Sequence, residues 1–185
     1  MKYIDAAGEE QDRLFINELR EAGLQPRICV QCLACTLSCP LSFAMDFQPH
    51  QVVRLAALGL KKHVLNSSAI WVCASCQSCS ARCPYGIDIP HLMDVLHQVA
   101  LREGLPAQQP RVLAFHQVFL WCLRMLGRPY EPLLALLYGL KARHFPPGLL
   151  SQGVSLLLKG RVRLMPVIRG RKAVADIFQR IEAQQ

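Results

Sequence analysis

The sequence is poor in the signatures by which most catalytic chains announce themselves. It has no G-x-G-x-x-G, so dinucleotide or flavin binding of the Rossmann type has no support, and it has no P-loop. No C-x-x-C-H occurs, which excludes covalent c-type haem attachment by that motif. No stretch alternates apolar and polar residues as a half-buried strand does. Aromatic residues make up only 7% of the chain, and none interleave with basic residues in the manner of a nucleic-acid-binding surface. Long apolar runs are missing too. VLAFHQVFLWCLRML has fifteen residues, whereas a membrane-spanning helix needs about twenty. Arg124 interrupts it, Arg128 follows it, and Leu133–Leu140 is shorter still. These read as buried helices or a subunit-facing surface, with no transmembrane segment. The N-terminus, MKYIDAAGEEQDRLF, opens polar and acidic without the apolar core of a signal peptide, so the expected compartment is the cytoplasm.

Apolar residues are abundant, at 52% of 185, enough for a core that does not depend on disulfide staples. Charge is uneven. Residues 1–100 carry 8 Lys/Arg against 9 Asp/Glu, and residues 101–185 carry 13 against 4. The basic residues are scattered among leucines, which suits a solvated surface that docks an acidic partner better than a nucleic-acid site. Arg161, Arg163, Arg169, Arg171 and Lys172 form the densest group.

Periodicity predicts helices throughout. EEQDRLFINELREAGLQP places Leu14, Phe15, Leu19 and Ala22 at helical spacing, with acids in the first turn and Gly23 and Pro26 as stops. PHQVVRLAALGLKKHVL puts Val52, Val53, Ala56, Leu60 and Val64 on one stripe and predicts one amphipathic helix. Asn66-Ser67-Ser68 offers a cap for a short helix, and Asp88 caps another that carries Ile89, Leu92, Met93, Leu96 and Val99 and ends near Gly104. Residues 106–110 read as a linker, followed by short helices between Pro129, Pro132, Pro146-Pro147 and Pro166. In the last helix Ala173, Val174, Ile177, Phe178 and Ile181 share a face. The expected architecture is all-α, with a cysteine-bearing domain over residues 1–105 and a basic helical extension over 106–185.

Cysteine is where the sequence is rich. CVQCLACTLSCP at 29–40 returns as CASCQSCSARCP at 73–84, and together they hold eight of the nine cysteines. Both obey C-x2-C-x2-C-x3-C-P, the bacterial spacing for [4Fe–4S] clusters, in which the fourth cysteine of a two-cluster ferredoxin ligates the other cluster. Carried over position by position, Cys29, Cys32, Cys35 and Cys83 would hold one cluster, and Cys73, Cys76, Cys79 and Cys39 the other. Zinc normally takes two paired C-x2-4-C knuckles rather than a three-plus-one array, and disulfides between cysteines three or four apart meet poor geometry. Cys122 stands alone beside Trp121 and reads as core packing. The six histidines form no metal-spaced pair with a carboxylate and read as surface or core residues. Trp71 and Tyr85 flank the second motif and are expected to shield its cluster from water.

Ordinary bacterial ferredoxins are small and partly β; here thirty-three residues with a helical pattern separate Cys39 from Cys73. That resembles the α-helical ferredoxin module of succinate dehydrogenase and heterodisulfide reductase. QPRICVQCLACTLSCP followed by WVCASCQSCSARCPYGIDIPHLMDVLHQVALREG resembles the C subunit of heterodisulfide reductase and its bacterial relatives, most strongly over residues 25–104. The resemblance implies a two-cluster electron-transfer subunit without catalysis of its own. Its implied partners are a flavin-containing A-type subunit and a Cys-Cys-rich B-type subunit, where disulfide or thiol chemistry occurs. No adjacent Cys-Cys pair lies on this chain. Two other readings stay open: an iron–sulfur subunit of a fumarate, glycolate or glycerol-phosphate oxidoreductase, and a non-redox interaction protein with structural metal sites.

Overall fold

The computed structural model describes residues 11–142, 155 and 170–183. Every regular element among them is helical, so the all-α expectation holds. Arg161, Arg163, Arg169, Pro146-Pro147 and Pro166 lie outside the described residues. The chain divides into two compact units, Met1–Gln109 and Pro110–Gln185.

In the first unit, α1 (Arg13–Glu21) starts one turn later than the acids suggest, because Asp12 is its N-cap and accepts from Phe15 N at 2.9 Å. Phe15 and Leu19, four residues apart, form the buried face. Leu14 points away and is 81% exposed, a departure from the expected stripe. Gly23, at φ +78°, ends the helix with Leu24 N donating to Leu19 O, the six-to-one bond of a Schellman stop.

The expected helix over 49–65 is two helices, α3 (Pro49–Leu58) and α4 (Lys61–Leu65) in chain order after α2 (Ala34–Ser38). Gly59 breaks it at φ +72°, with Leu60 N donating to Leu55 O. The break is used: Gly59 O accepts from Asp12 N at 3.1 Å, and a Cβ on Gly59 would sit 2.8 Å from Ile16 Cδ1. The apolar stripe is unaffected, since Val52, Val53, Ala56, Leu60 and Val64 are all buried. Lys61, at the start of α4, pairs with Glu103 and lies 3.8 Å from Asp12, tying α4 to both chain ends of the unit.

The short α5 (Ala69–Val72) leads into the second motif and α6 (Ser78–Ala81) lies within it. α5 is not capped by its own Asn-Ser-Ser alone. The Asp46 carboxylate, some twenty residues upstream, accepts from Ser68 N, Ala69 N and the hydroxyls of Ser67 and Ser68 at 2.7–3.2 Å. Its pKa is lowered: burial pushes it upward, and the hydroxyl and backbone N–H donors outweigh that. α7 (Ile89–Arg102) is capped by Asp88, which accepts from His91 N at 3.1 Å, and ends at Gly104 as expected. Its face of Ile89, Leu92, Met93, Leu96, Val99 and Ala100 is buried against α3, α4 and α5.

In the second unit Pro110 is the first residue of a helix rather than the end of a linker, at the position where its missing N–H costs nothing. That helix, α8 (Pro110–Leu126), packs on α9 (Glu131–Ala142) and α10 (Arg171–Glu182). Ala114, Val118 and Cys122 make its buried line, and Phe115 meets the Tyr138 ring edge-on at 5.8 Å. Arg124 lies over Phe178 at 5.9 Å. Much apolar surface stays open: Leu120, Trp121, Leu136, Leu140, Ile177 and Ile181 are exposed. Among the described residues no helix is long and apolar enough to cross a membrane.

Candidate metal centres

Each cysteine motif folds the same way. After its first cysteine the chain enters an irregular loop, then a short helix bearing the third cysteine, then leaves through Cys-Pro. All four positive-φ non-glycine residues among those described fall here: Gln31 (+59°), Leu33 (+66°), Ser75 (+48°) and Gln77 (+63°). They occupy matched places, two and four residues after Cys29 and after Cys73. An L-residue in the left-handed region costs roughly 1–2 kcal/mol. Four such residues in two loops is strain concentrated where the thiols are. Alternating handedness also turns successive backbone N–H groups to one side, the arrangement that cradles an anionic group. The sequence carries no glycine at these positions to signal it.

The short helices α2 and α6 pack on one another, and that contact crosses the motifs. One cavity is lined by Cys29, Cys32, Cys35 and Cys83, with His50, Tyr85 and apolar side chains around them. A second is lined by Cys39, Cys73, Cys76 and Cys79, and every other described side chain on its wall is apolar, Pro40, Leu41, Met45 and Met93 among them. Counting the space that opens to solvent, the two hollows measure about 350 and 380 Å³. Ile89, 2% exposed, belongs to both walls. Pro49 lines the second cavity and its neighbour His50 the first. The two spaces therefore share a wall at Ile89.

All nine cysteines are free thiols. Burial raises the pKa of Cys35 and of Cys73, and pushes Cys79 up to about 11. Cys76 is exposed and lowered by the Ser78 hydroxyl, 3.5 Å from its sulfur. The buried thiols thus favour the protonated form, and a metal group entering the cavities would displace their protons. Among the described residues no three His, Cys, Asp or Glu converge as they would around one ion. Four thiols round a mostly apolar hollow, on loops of alternating handedness suited to an anionic group, fit a compact anionic iron–sulfur cube.

Gln31 Nε2 donates to Cys29 Sγ at 3.2 Å and to His50 O at 3.2 Å, and Ile87 N donates to Cys83 Sγ at 3.4 Å. His50 is the residue that sequence reasoning missed. Its ring Nδ1 lies 2.8 Å from Thr36 Oγ1, and burial lowers its pKa. No spacing rule points to a histidine fifteen residues from the nearest ligand of its own cavity. Trp71 does not do what was expected of it: it is buried edge-on against His97 at 4.3 Å and lines neither cavity. Tyr85 is half-exposed and lines the first cavity. Cys122 is fully buried in the other unit, a packing residue.

Residues 26–87 match the family described as a 4Fe-4S dicluster domain. Iron–sulfur clusters are the cofactor class of this domain. The chain is similar to a series of curated proteins named as C subunits of heterodisulfide reductase, in agreement with the resemblance drawn from the motifs. One is the C subunit of the ferredoxin:CoB-CoM heterodisulfide reductase of Methanosarcina acetivorans, 40% identical over 81 residues, 44% of this chain and 32% of the relative. Another is the C2 subunit of the H(2)/formate:CoB-CoM heterodisulfide,ferredoxin reductase of Methanococcus maripaludis, 31% identical over 117 residues, 58% of this chain and 63% of the relative. A third, the C subunit of the H(2):CoB-CoM heterodisulfide,ferredoxin reductase of Methanothermobacter thermautotrophicus, is 32% identical over 97 residues, 52% of each chain. The chain spans between a third and two thirds of the length of these relatives.

Proposed function

We propose that this chain is the electron-transfer subunit of a heterodisulfide-reductase-like complex and does no catalysis alone. The observation that carries the reading is the partition of eight thiols between two cavities with a common wall at Ile89. Cys29, Cys32, Cys35 and Cys83 hold one [4Fe–4S] cluster, and Cys73, Cys76, Cys79 and Cys39 the other. When bound, the clusters supply one-electron redox chemistry. The chain's own residues do the rest. Apolar walls exclude water, the left-handed loops aim backbone N–H groups inward, and Ile89 keeps the two centres adjacent. Cys32 and Cys76 are the exposed ligands, and they mark where each centre comes nearest the surface.

The relatives' names support a place in a complex that acts on a disulfide. We assign a flavin-containing A-type subunit and a Cys-Cys-rich B-type subunit as redox partners on either side of this one, in the cytoplasm. Residues 1–105 form the cluster domain in this reading. Residues 106–185, basic and with exposed apolar side chains on α8, α9 and α10, form a docking extension. The test is composition: anaerobically purified chain should hold about eight iron and eight acid-labile sulfides. Two zinc and no sulfide would replace the relay with a structural metal protein.

A further inference from the structure

The two centres differ in what surrounds their sulfurs, although their backbone loops match. Thr36 follows Cys35 as Ser80 follows Cys79, so the two hydroxyls hold equivalent places. They are used differently. The Thr36 hydroxyl hydrogen-bonds the Cys35 sulfur. Its oxygen lies 2.8 Å from His50 Nδ1 and accepts from His50 N at 3.3 Å. A hydroxyl has one proton to give and two lone pairs to fill. A proton given to the Cys35 sulfur would leave both lone pairs to His50, with its ring proton on Nδ1. The result is a relay from imidazole to hydroxyl to ligand sulfur. Ser80 instead donates its proton to the Asp88 carboxylate at 3.2 Å, away from Cys79.

The loops differ in the same sense. Gln31 donates a side-chain amide to Cys29 Sγ while also holding His50 O; its counterpart Ser75 has no side-chain amide and gives Cys73 its backbone N–H alone. Asp94, an exposed carboxylate, acts on Cys73 as a nearby negative charge. On the other side stand the Ser75 backbone N–H toward Cys73 and Ser78, which sits 3.5 Å from exposed Cys76 where the first loop has Ala34. Donors to ligand sulfur stabilise the more negative, reduced state and raise the potential, and a neighbouring carboxylate lowers it.

We propose that His50, Thr36 and Gln31 make the centre of Cys29, Cys32, Cys35 and Cys83 the higher in reduction potential, so that a single electron entering the pair rests there. This builds on the two-cluster reading, and the two fail differently. Absent iron and sulfide sink that reading, whereas two clusters in the opposite order sink this inference alone.

The experiment is an anaerobic redox titration of the intact chain followed by EPR, with the signals assigned through Cys32→Ser and Cys76→Ser. The Cys32 centre should reduce first. His50→Leu and Thr36→Val should each lower its reduced-to-oxidised ratio at a fixed ambient potential about tenfold, or about 59 mV for one electron, and leave the other centre in place. Asp94→Asn should move only the Cys76 centre, upward. A Cys76 centre that reduces first, or relay variants that shift neither centre or both alike, would overturn the proposal. Wild-type chain labelled with 15N-histidine gives a check that needs no variant at position 50. Among the described residues His50 is the one histidine on either cavity wall, so nitrogen coupling should attach to the higher-potential signal; coupling to the lower one, or none, contradicts the assignment.

Discussion

Replacing Asp46 by alanine should unlatch the two cysteine motifs from each other. One carboxylate oxygen accepts five hydrogen bonds, from Phe47 N, Ser68 N, Ala69 N and the hydroxyls of Ser67 and Ser68. Four come from the segment that opens into Cys73, while Asp46 follows the exit of the first motif. A hydrogen bond to a charged group is worth roughly 1.5–3 kcal/mol net, and several on one atom do not add. Ser67 is fully buried, so its hydroxyl loses the strongest of its partners. The expected loss is about 3 kcal/mol, with Asp46→Asn near half of it because a neutral oxygen still accepts. In urea, at about 1–3 kcal/mol per molar, that moves the midpoint by roughly 1–3 M. Far-ultraviolet circular dichroism, with cluster absorbance on the same anaerobic samples, reads it. The pH dependence has a fixed sign. The Asp46 pKa lies below its ordinary value, so its contribution is complete above the unfolded carboxylate pKa of about 3.9 and fades as pH falls through the folded value. The gap between wild type and Asp46→Asn should therefore close in acid. A change under about 0.5 kcal/mol at neutral pH, the size of an ordinary surface substitution, or a gap that widens in acid, would refute the reasoning.

Leu33 is in the left-handed region and 43% exposed, so Leu33→Gly should leave cluster content intact and stability within about 1 kcal/mol, whereas Leu33→Val should lose roughly 1–2 kcal/mol more; urea unfolding of the two variants side by side decides it. Cys122→Ala should keep iron and sulfide per chain unchanged while lowering the thermal midpoint, because that thiol is packed and remote in sequence from both motifs; lost iron would make it a ligand. Leu96→Ala, at a fully buried position of α7, should cost about 2–5 kcal/mol and, since folding and cluster retention are coupled, speed the bleaching of the visible absorbance under chelator.

What could be read from the amino acids follows from how local each cause is. The all-helical architecture was legible in the stripes at 49–65 and 89–102, and the repeated spacing picked out the eight thiols that line the two hollows. Gly59 hid a helix break inside an uninterrupted apolar stripe, because a glycine in a helical pattern is usually tolerated and the acceptor role of its carbonyl toward Asp12 is a long-range fact. The capping of α5 by Asp46 was invisible for the same reason: three nearby Asn and Ser residues offered a sufficient local answer. The left-handed positions were hidden by their chemistry, since Gln31, Leu33, Ser75 and Gln77 are not the residues that favour that conformation. His50 was discounted because it forms no metal-spaced pair with a carboxylate, and the role proposed for it acts through Thr36. Trp71 sits where its neighbourhood in sequence suggested a cluster shield, but α5 turns its ring into the core toward His97.

The central claim is that the motifs exchange their fourth cysteines, and paired ligand variants test it whichever signal belongs to which centre. Four serine variants of the intact chain, Cys32, Cys39, Cys76 and Cys83 each to Ser, are compared by EPR after anaerobic reduction. Cys39→Ser and Cys76→Ser should alter one and the same cluster signal, and Cys83→Ser and Cys32→Ser the other. If Cys39→Ser alters the signal that Cys32→Ser alters, each motif closes on itself and the crossed arrangement is wrong.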